Sequence, residues 1–320
     1  MTPERMKETL IIIVPCYNDE EVLPETTRQL TALLEQMIGQ EIIAVSSRIL
    51  YVNDGSRDRT WELICHFHNE TPYVCGVNLA GNVGHQNALM AGLETAKTMG
   101  DMILSIDSDL QDDIMVIPEM VRKCQEGNDI ILGVRKERKT DTWFKRTTAQ
   151  GFYRLMSRLG VKSVYNHADF RLMSRRAVEQ LCRYRERNLF LRGIVPQLGY
   201  KTDCVYYDRH ERIAGESHYT LKKLVGLAID GITSFSVKPV RALILMGGFF
   251  LLIALGILVY VLCAIFAGKA VSGWASLILS TWFIGGCLLL GLGIVGEYIG
   301  KIYLETKDRP RFNIEKTLLK

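Results

Sequence analysis

Met102-Ile103-Leu104-Ser105-Ile106-Asp107-Ser108-Asp109-Leu110-Gln111 runs from an apolar, β-branched stretch straight into two carboxylates one residue apart and an amide two further on. The apolar half has strand length, and the polar half follows where such a strand would end. Paired acids and an amide offer hard oxygen ligands. These suit Mg²⁺ or Mn²⁺ beside a diphosphate, because such ions take carboxylates, water and substrate phosphates rather than a full protein cage. An acidic pair alone also ends many strands as a loop cap, so the context decides.

Working outward, Leu10 to Val14, Ile49 to Val52, Val74 to Val77 and Asp129 to Gly133 are further short runs rich in Ile and Val. Glu20 to Ile38, Thr60 to Asn69, Asn87 to Met99 and Ile114 to Gln125 carry helical spacing between them. Strands alternating with helices of this size predict right-handed βαβ units and a mostly parallel sheet covered on both faces. Ligands in such sheets bind beyond the carboxyl ends of the strands. Polar clusters fall there four times: Pro15-Cys16-Tyr17-Asn18-Asp19, Asn53-Asp54-Gly55-Ser56, Asn82-Val83-Gly84-His85 and the acidic pair. At Asp54 a carboxylate suits a nucleobase or ribose, or else makes a local Asx turn. Tyr17 suits stacking on a base or packing at the sheet edge.

Of 320 residues, 48% are hydrophobic, and they are unevenly placed. Ala242 to Ala267 and Trp274 to Gly296 carry no charge, and each is long enough to cross a hydrocarbon core. Lys238 and Arg241 precede the first, Lys301, Lys307, Arg309 and Arg311 follow the second, and the connector holds only Lys269. The positive-inside bias then places both flanks in the cytoplasm. The chain reads as a multi-pass protein of the inner or plasma membrane with its main domain cytoplasmic and no signal peptide. Glu297 marks the inner interface, paired with a neighbouring cation. Gly285, Gly286, Gly291 and Gly293 allow close helix packing without giving an oligomeric state; a homo-oligomer, such as a tetramer, is the expectation. The eight cysteines show no zinc spacing and read as buried hydrophobes in a reducing compartment. A net charge of +4 gives no reason to expect nucleic acid.

Arg135 to Lys162 holds nine Lys or Arg against Glu137 and Asp141. Phe152, Leu155, Met156 and Leu159 share one helical face there, which predicts an interfacial helix over about 142–160 on an anionic leaflet. A second amphipathic segment, 218–237, leads into the first span. The expected organisation is therefore a sheet domain over 1–217, that juxtamembrane helix, two spans within 238–300 (about 242–267 and 274–296), and a basic cytosolic tail over 301–320.

Two further stretches carry charge in suggestive order. Arg209 to Tyr219 sets basic residues in a Gly-containing loop suited to phosphate oxygens, or simply solvated. His167-Ala168-Asp169-Phe170-Arg171-Leu172 flanks an aromatic with an acid and a base, a pattern shared by structural ion pairs.

Taken together the motifs resemble the polyprenyl-phosphate glycosyltransferases of glycosyltransferase family 2, which include bactoprenol glucosyltransferases and dolichol-phosphate mannose synthases. The matching stretches are V-P-C-Y-N-D-E-E from Val14, V-N-D-G-S from Val52, D-S-D-L-Q-D from Asp107, A-D-F-R-L-M-S-R-R from Ala168, R-x-A-G-E-S-H-Y from Arg212, and G-E-Y-I-G-K-I-Y from Gly296 after the spans. The resemblance implies a GT-A fold and inverting, metal-dependent transfer from a nucleotide sugar to a lipid phosphate at the membrane. UDP-glucose is the favoured donor, ahead of UDP-N-acetylglucosamine and UDP-galactose. By position it assigns Pro15, Tyr17, Asp19, Val52, Asp54, Asp107 and Ser108 to the nucleotide. Asp107, Asp109 and Gln111 fall to the metal, Arg135, Arg212 and His218 to phosphate and acceptor, and Asp169 with Asp109 to catalysis. Asp19 stands where the family usually has Glu, and His218 where it usually has Lys. Two alternatives remain at this stage. One is a processive polysaccharide synthase, for which Gln180 to Tyr184 is a loose motif match and two spans too few. The other is an inactive nucleotide-binding scaffold.

Overall fold

The computed structural model describes residues 7–136, 167–186, 189, 191–208, 238–267 and 273–320. The interfacial helix expected at about 142–160 and the juxtamembrane helix at 218–237 lie outside these, as do Arg212 and His218. Two units emerge, a sheet domain that includes Arg309–Lys320 and a pair of apolar helices.

In the sheet domain the alternation takes the expected form. β1 (Leu10–Cys16), α1 (Leu23–Gly39), β2 (Arg48–Asn53), α2 (Thr60–Glu70), β3 (Val74–Leu79), α3 (His85–Ala96), β4 (Met102–Ser105), α4 (Ile117–Gln125) and β5 (Ile130–Arg135) follow in order. Pro24 and Pro118, set in the first turns of α1 and α4, need no intrahelical partner for a missing N–H there. β1 pairs parallel with both β2 and β4, and β2 with β3. All seven residues of β1 are buried, as a strand covered on both faces requires. Gly92 lets α3 approach this centre, since a Cβ there would stand 2.5 Å from Cγ2 of Ile13 and 3.0 Å from Cγ2 of Val52.

Beyond β5 come β6 (His167–Ser174), α5 (Arg175–Cys182), α6 (Leu191–Ile194) and β7 (Thr202–Tyr207). β6 runs antiparallel between β4 and β5, pairing Ser105 with Arg171 and Val134 with His167. Its amino end therefore lies beside the carboxyl ends of its neighbours, and this brings Asp169 to the edge that carries the acidic pair. The sheet order is β7-β5-β6-β4-β1-β2-β3-β8, a GT-A-like mixed sheet. Its last member, β8 (Ile314–Leu318), comes from the segment expected as a basic tail and runs antiparallel to β3.

In the other unit, α7 (Lys238–Phe266) and α8 (Trp274–Thr306) extend past the expected spans. The rings of Phe250 and Phe283 meet edge to face at 5.6 Å. Within α8, residues Phe283–Thr306 are long and apolar enough to cross a membrane, at about 36 Å for 24 residues. Among the described residues, the apolar stretch of α7 that meets the same test of composition, Leu245–Ile257, is shorter. Glu297 pairs with Lys301 one turn on, at 3.9 Å.

Candidate active site

The site grows from loops that leave β1, β2, β3 and β4 at the same edge. After β1, Asn18 takes a left-handed φ of 54°, its N–H meeting Oγ of Ser56 at 3.0 Å while its Oδ1 accepts from the Arg57 N–H at 2.9 Å. This laces the first loop to the second. Gly55, at φ 63°, lies against a neighbouring turn so closely that a Cβ would stand 2.5 Å from the carbonyl carbon of Gly81. Only glycine fits both the backbone and the space.

Asp54 does not close on its own turn. Its two oxygens accept from the N–H groups of Val83 at 2.7 Å and Gly84 at 3.0 Å, fixing the start of α3. Burial raises its carboxyl, opposed by those N–H groups and His85. Asp19 accepts from Oγ of Ser108 at 2.8 Å and from the Tyr17 N–H at 3.0 Å, joining the first loop to the acidic one. Burial raises it as well. Thr26 Oγ1 donates to the Ser108 carbonyl at 2.7 Å, so α1 holds that loop from below. Tyr17 is 44% exposed, free to offer a ring face. Pro15 pairs in register with Val52. Val52 is fully buried, its side chain lying against Gly92 of α3 beneath the site.

Past β4, Leu110 turns the chain at a φ of 48°, strained for a branched residue and stored where the acidic loop reverses. Asp109 Oδ1 accepts from the Gln111 N–H at 3.2 Å, and Gln111 itself is nearly buried. Burial, opposed by His85 and reinforced by Asp169, Asp112 and Asp109, pushes the Asp107 carboxyl up to about 6. Among the described residues no three His, Cys, Asp or Glu side chains converge into a closed cage. An open pair of carboxylates fits Mg²⁺ or Mn²⁺, which fill their remaining positions with water and phosphate oxygens.

Asp169 is the opposite case. One oxygen is bonded to Nη2 of Arg171, and the other accepts from Nη2 of Arg192 at 3.0 Å and Nε2 of Gln86 at 3.4 Å. Burial alone would raise its carboxyl, but Arg171, Arg192 and His85 outweigh it and hold Asp169 well below the usual carboxylate range. A group so held is an orienting anion and a poor proton acceptor at neutral pH. Arg171 is itself 1% exposed, with Nε and Nη1 unpartnered among the described residues.

His85 opens α3 with Nε2 3.7 Å from Oδ1 of Asp107 and 3.8 Å from Oδ2 of Asp169, bridging the two carboxylates. The sequence marked its cluster but gave His85 no role; the signal was a histidine directly after the loop that follows β3. Arg192 was missed altogether, because α6 is too short to show a pattern. Arg135 reaches Oδ1 of Asp112 at 2.9 Å and the Tyr207 hydroxyl at 3.2 Å. Burial works against its charge, but Asp112 and Tyr207 more than compensate, and the guanidinium is held above its ordinary value. The structure thus places Arg135 in an ion pair under the acidic loop.

A family model described as Glycosyl transferase family 2 matches residues 11–182. The uncharacterized glycosyltransferase YkoT of Bacillus subtilis (strain 168) is 53% identical, over 98% of this chain and 93% of that protein. A prophage bactoprenol glucosyl transferase homolog of Escherichia coli (strain K12) is 41% identical, over 95% of this chain and 98% of its own length. The bactoprenol glucosyl transferase of Shigella phage SfII is 40% identical, over 96% and 97% respectively.

Proposed function

The chain belongs to glycosyltransferase family 2, and on that premise we propose that it transfers a hexose from a nucleotide sugar, UDP-glucose foremost, to undecaprenyl or another polyprenyl phosphate. The observation that carries this reading is the meeting of two unlike acidic groups at one edge of the sheet. Asp107, which stands beside Asp109, is raised by burial and neighbouring carboxylates, whereas Asp169 is held down against burial by Arg171 and Arg192. The first pair suits a donor diphosphate with its cation, and the second group suits the ordering of an anionic acceptor. Two relatives with full-length alignments are named for bactoprenol glucosyl transfer, which favours a polyprenyl acceptor.

Asp107 and Asp109 would hold Mg²⁺ or Mn²⁺, with Gln111 the third ligand. When bound, the ion supplies positive charge against the departing diphosphate. Asp19, Asp54 and Ser108 organise the loops on which the nucleotide rests, and Tyr17 offers its ring to the base. A phosphate monoester is largely dianionic at neutral pH, with a second pKa near 6. The acceptor oxygen therefore attacks without a strong base, and Asp169 serves by fixing Arg171 and Arg192. The resemblance assigns Arg135, Arg212 and His218 to phosphate, Arg135 while paired with Asp112 and His218 in place of the usual Lys. Direct displacement at the anomeric carbon inverts it.

Placement follows from the apolar helices. α8 inserts, α7 accompanies it as a second pass, and the sheet domain stays on the cytoplasmic side by the distribution of Lys and Arg.

Incubating the purified protein with undecaprenyl phosphate and a panel of nucleotide sugars tests this, with lipid products read by mass spectrometry. One added hexose, β-linked from an α-donor, is expected. Hydrolysis of the donor with no lipid product, or a retained α-linkage, would reject it.

A further inference from the structure

β8 does more than cover the edge of the sheet. It pairs Asn78 with Lys316 and Leu79 with Ile314, and the irregularity between these pairs leaves Glu315 as the extra residue. From there Oε2 of Glu315 accepts from Nδ2 of Asn78 at 2.7 Å. Oδ1 of Asn78 accepts from Nδ2 of Asn53 at 2.6 Å, and Oδ1 of Asn53 accepts from the Ser56 N–H at 3.3 Å. Ser56 Oγ in turn accepts from the Asn18 N–H. Both asparagines are nearly buried, at 8% and 2% exposure. An unbroken relay thus runs from the segment after the second apolar helix to the two loops beside Asp19 and Asp54.

The relay has a direction. A side-chain amide can turn either way, but a carboxylate only accepts. With Glu315 at its head, Asn78 must present Nδ2 to the strand and Oδ1 to Asn53, and Asn53 must present its own Oδ1 to Ser56. Reversing the first group would leave the Ser56 N–H facing a donor. The backbone supports the same junction, for the Ala80 N–H donates to the Asn313 carbonyl at 2.9 Å, just ahead of the loop that Asp54 holds.

We infer that Glu315 is a positioning residue for the nucleotide donor, acting through Asn78 and Asn53, so that the strand following the apolar helices completes the donor site. This rests on the reading that the Asp19 and Asp54 loops receive a nucleotide. The consequence is that donor affinity depends on how that strand is seated.

The test is calorimetric binding of UDP and of GDP, with Mn²⁺, to the full chain and to Glu315→Gln, Glu315→Ala and Glu315→Lys. Gln keeps an acceptor and should bind within about twofold of wild type. Ala should weaken binding about three- to tenfold, the loss of one net hydrogen bond, and Lys should weaken it further by forcing the relay to reverse. In transfer assays KM for the donor should rise in that order, with kcat and the melting temperature little changed. Equal affinities across the series, or a fall in kcat at constant KM, would overturn the inference while leaving the donor reading standing. Wild-type protein that binds neither nucleotide would overturn both.

Discussion

Asp169 accepts a hydrogen bond from Nη2 of Arg192 at 3.0 Å while Arg171 occupies its other oxygen. A carboxylate fixed in this way has little affinity left for a proton, and its replacement should act on geometry. Asp169→Asn is expected to lose transfer across pH 6 to 9 with no recovery at the alkaline end. Recovery at pH 8.5, where the acceptor phosphate is fully ionised, would instead identify Asp169 as the base. Removing its charge also takes from the buried Arg171 the carboxylate it is bonded to, and breaking a buried pair costs about 3–5 kcal/mol. Arg192→Gln keeps the Asp169–Arg171 pair, so it should hold the melting temperature and still reduce transfer.

Asp109→Ala should abolish turnover and leave the fold intact, because Asp109 belongs to a loop held independently by Thr26 and Asp19. Circular dichroism would show an unchanged spectrum. Excess chelator should silence the wild type, and Mg²⁺ or Mn²⁺ should restore it. Full turnover in chelator would exclude a role for the cation.

Gly92→Val should destabilise the sheet domain by about 1–3 kcal/mol through overpacking, since the first added carbon already meets Ile13 and Val52. A lower denaturant midpoint with an unchanged slope is the expected readout.

Asp129 accepts from Nε and Nη2 of Arg176 and from Oγ of Ser174 at 2.8 Å. The Arg176 hydrogen bonds hold its carboxyl below the ordinary value. A depressed folded-state pKa stabilises fully above the unfolded value near 4, and that contribution disappears as pH falls through the lower folded value. Asp129→Asn should therefore be less stable than wild type at pH 6, and the two should converge towards pH 2 to 3. A gap that persisted at pH 2 would locate the effect in packing.

The central sheet was legible because β1 to β5 are short runs of Ile and Val broken by Pro, Gly and Asn, and each covered strand needs such a run. β6 was harder to read. Asp169 and Arg171 alternate with Phe170 and Leu172 as a half-exposed strand would, yet all four are buried. The charges cancel within the strand itself, and no periodicity announces that. β8 escaped for another reason. Ile314 to Leu318 mixes Glu and Lys with apolar residues, and pairing with β3 holds it more than its own side chains do. At the site, Asp107 and Asp109 stood out by spacing, and Asp19 by its cluster after β1 together with the family resemblance. His85 and Asp112 stood within marked clusters without a role of their own, and Arg192 and Tyr207 join them only through a fold that brings distant segments to one edge.

β6 is gripped by ladders on both sides, to β4 through Ser105–Arg171 and to β5 through Val134–His167. A slip of one residue would turn Asp169 to the other face of the sheet, so both ladders must give way before the acid can leave its place.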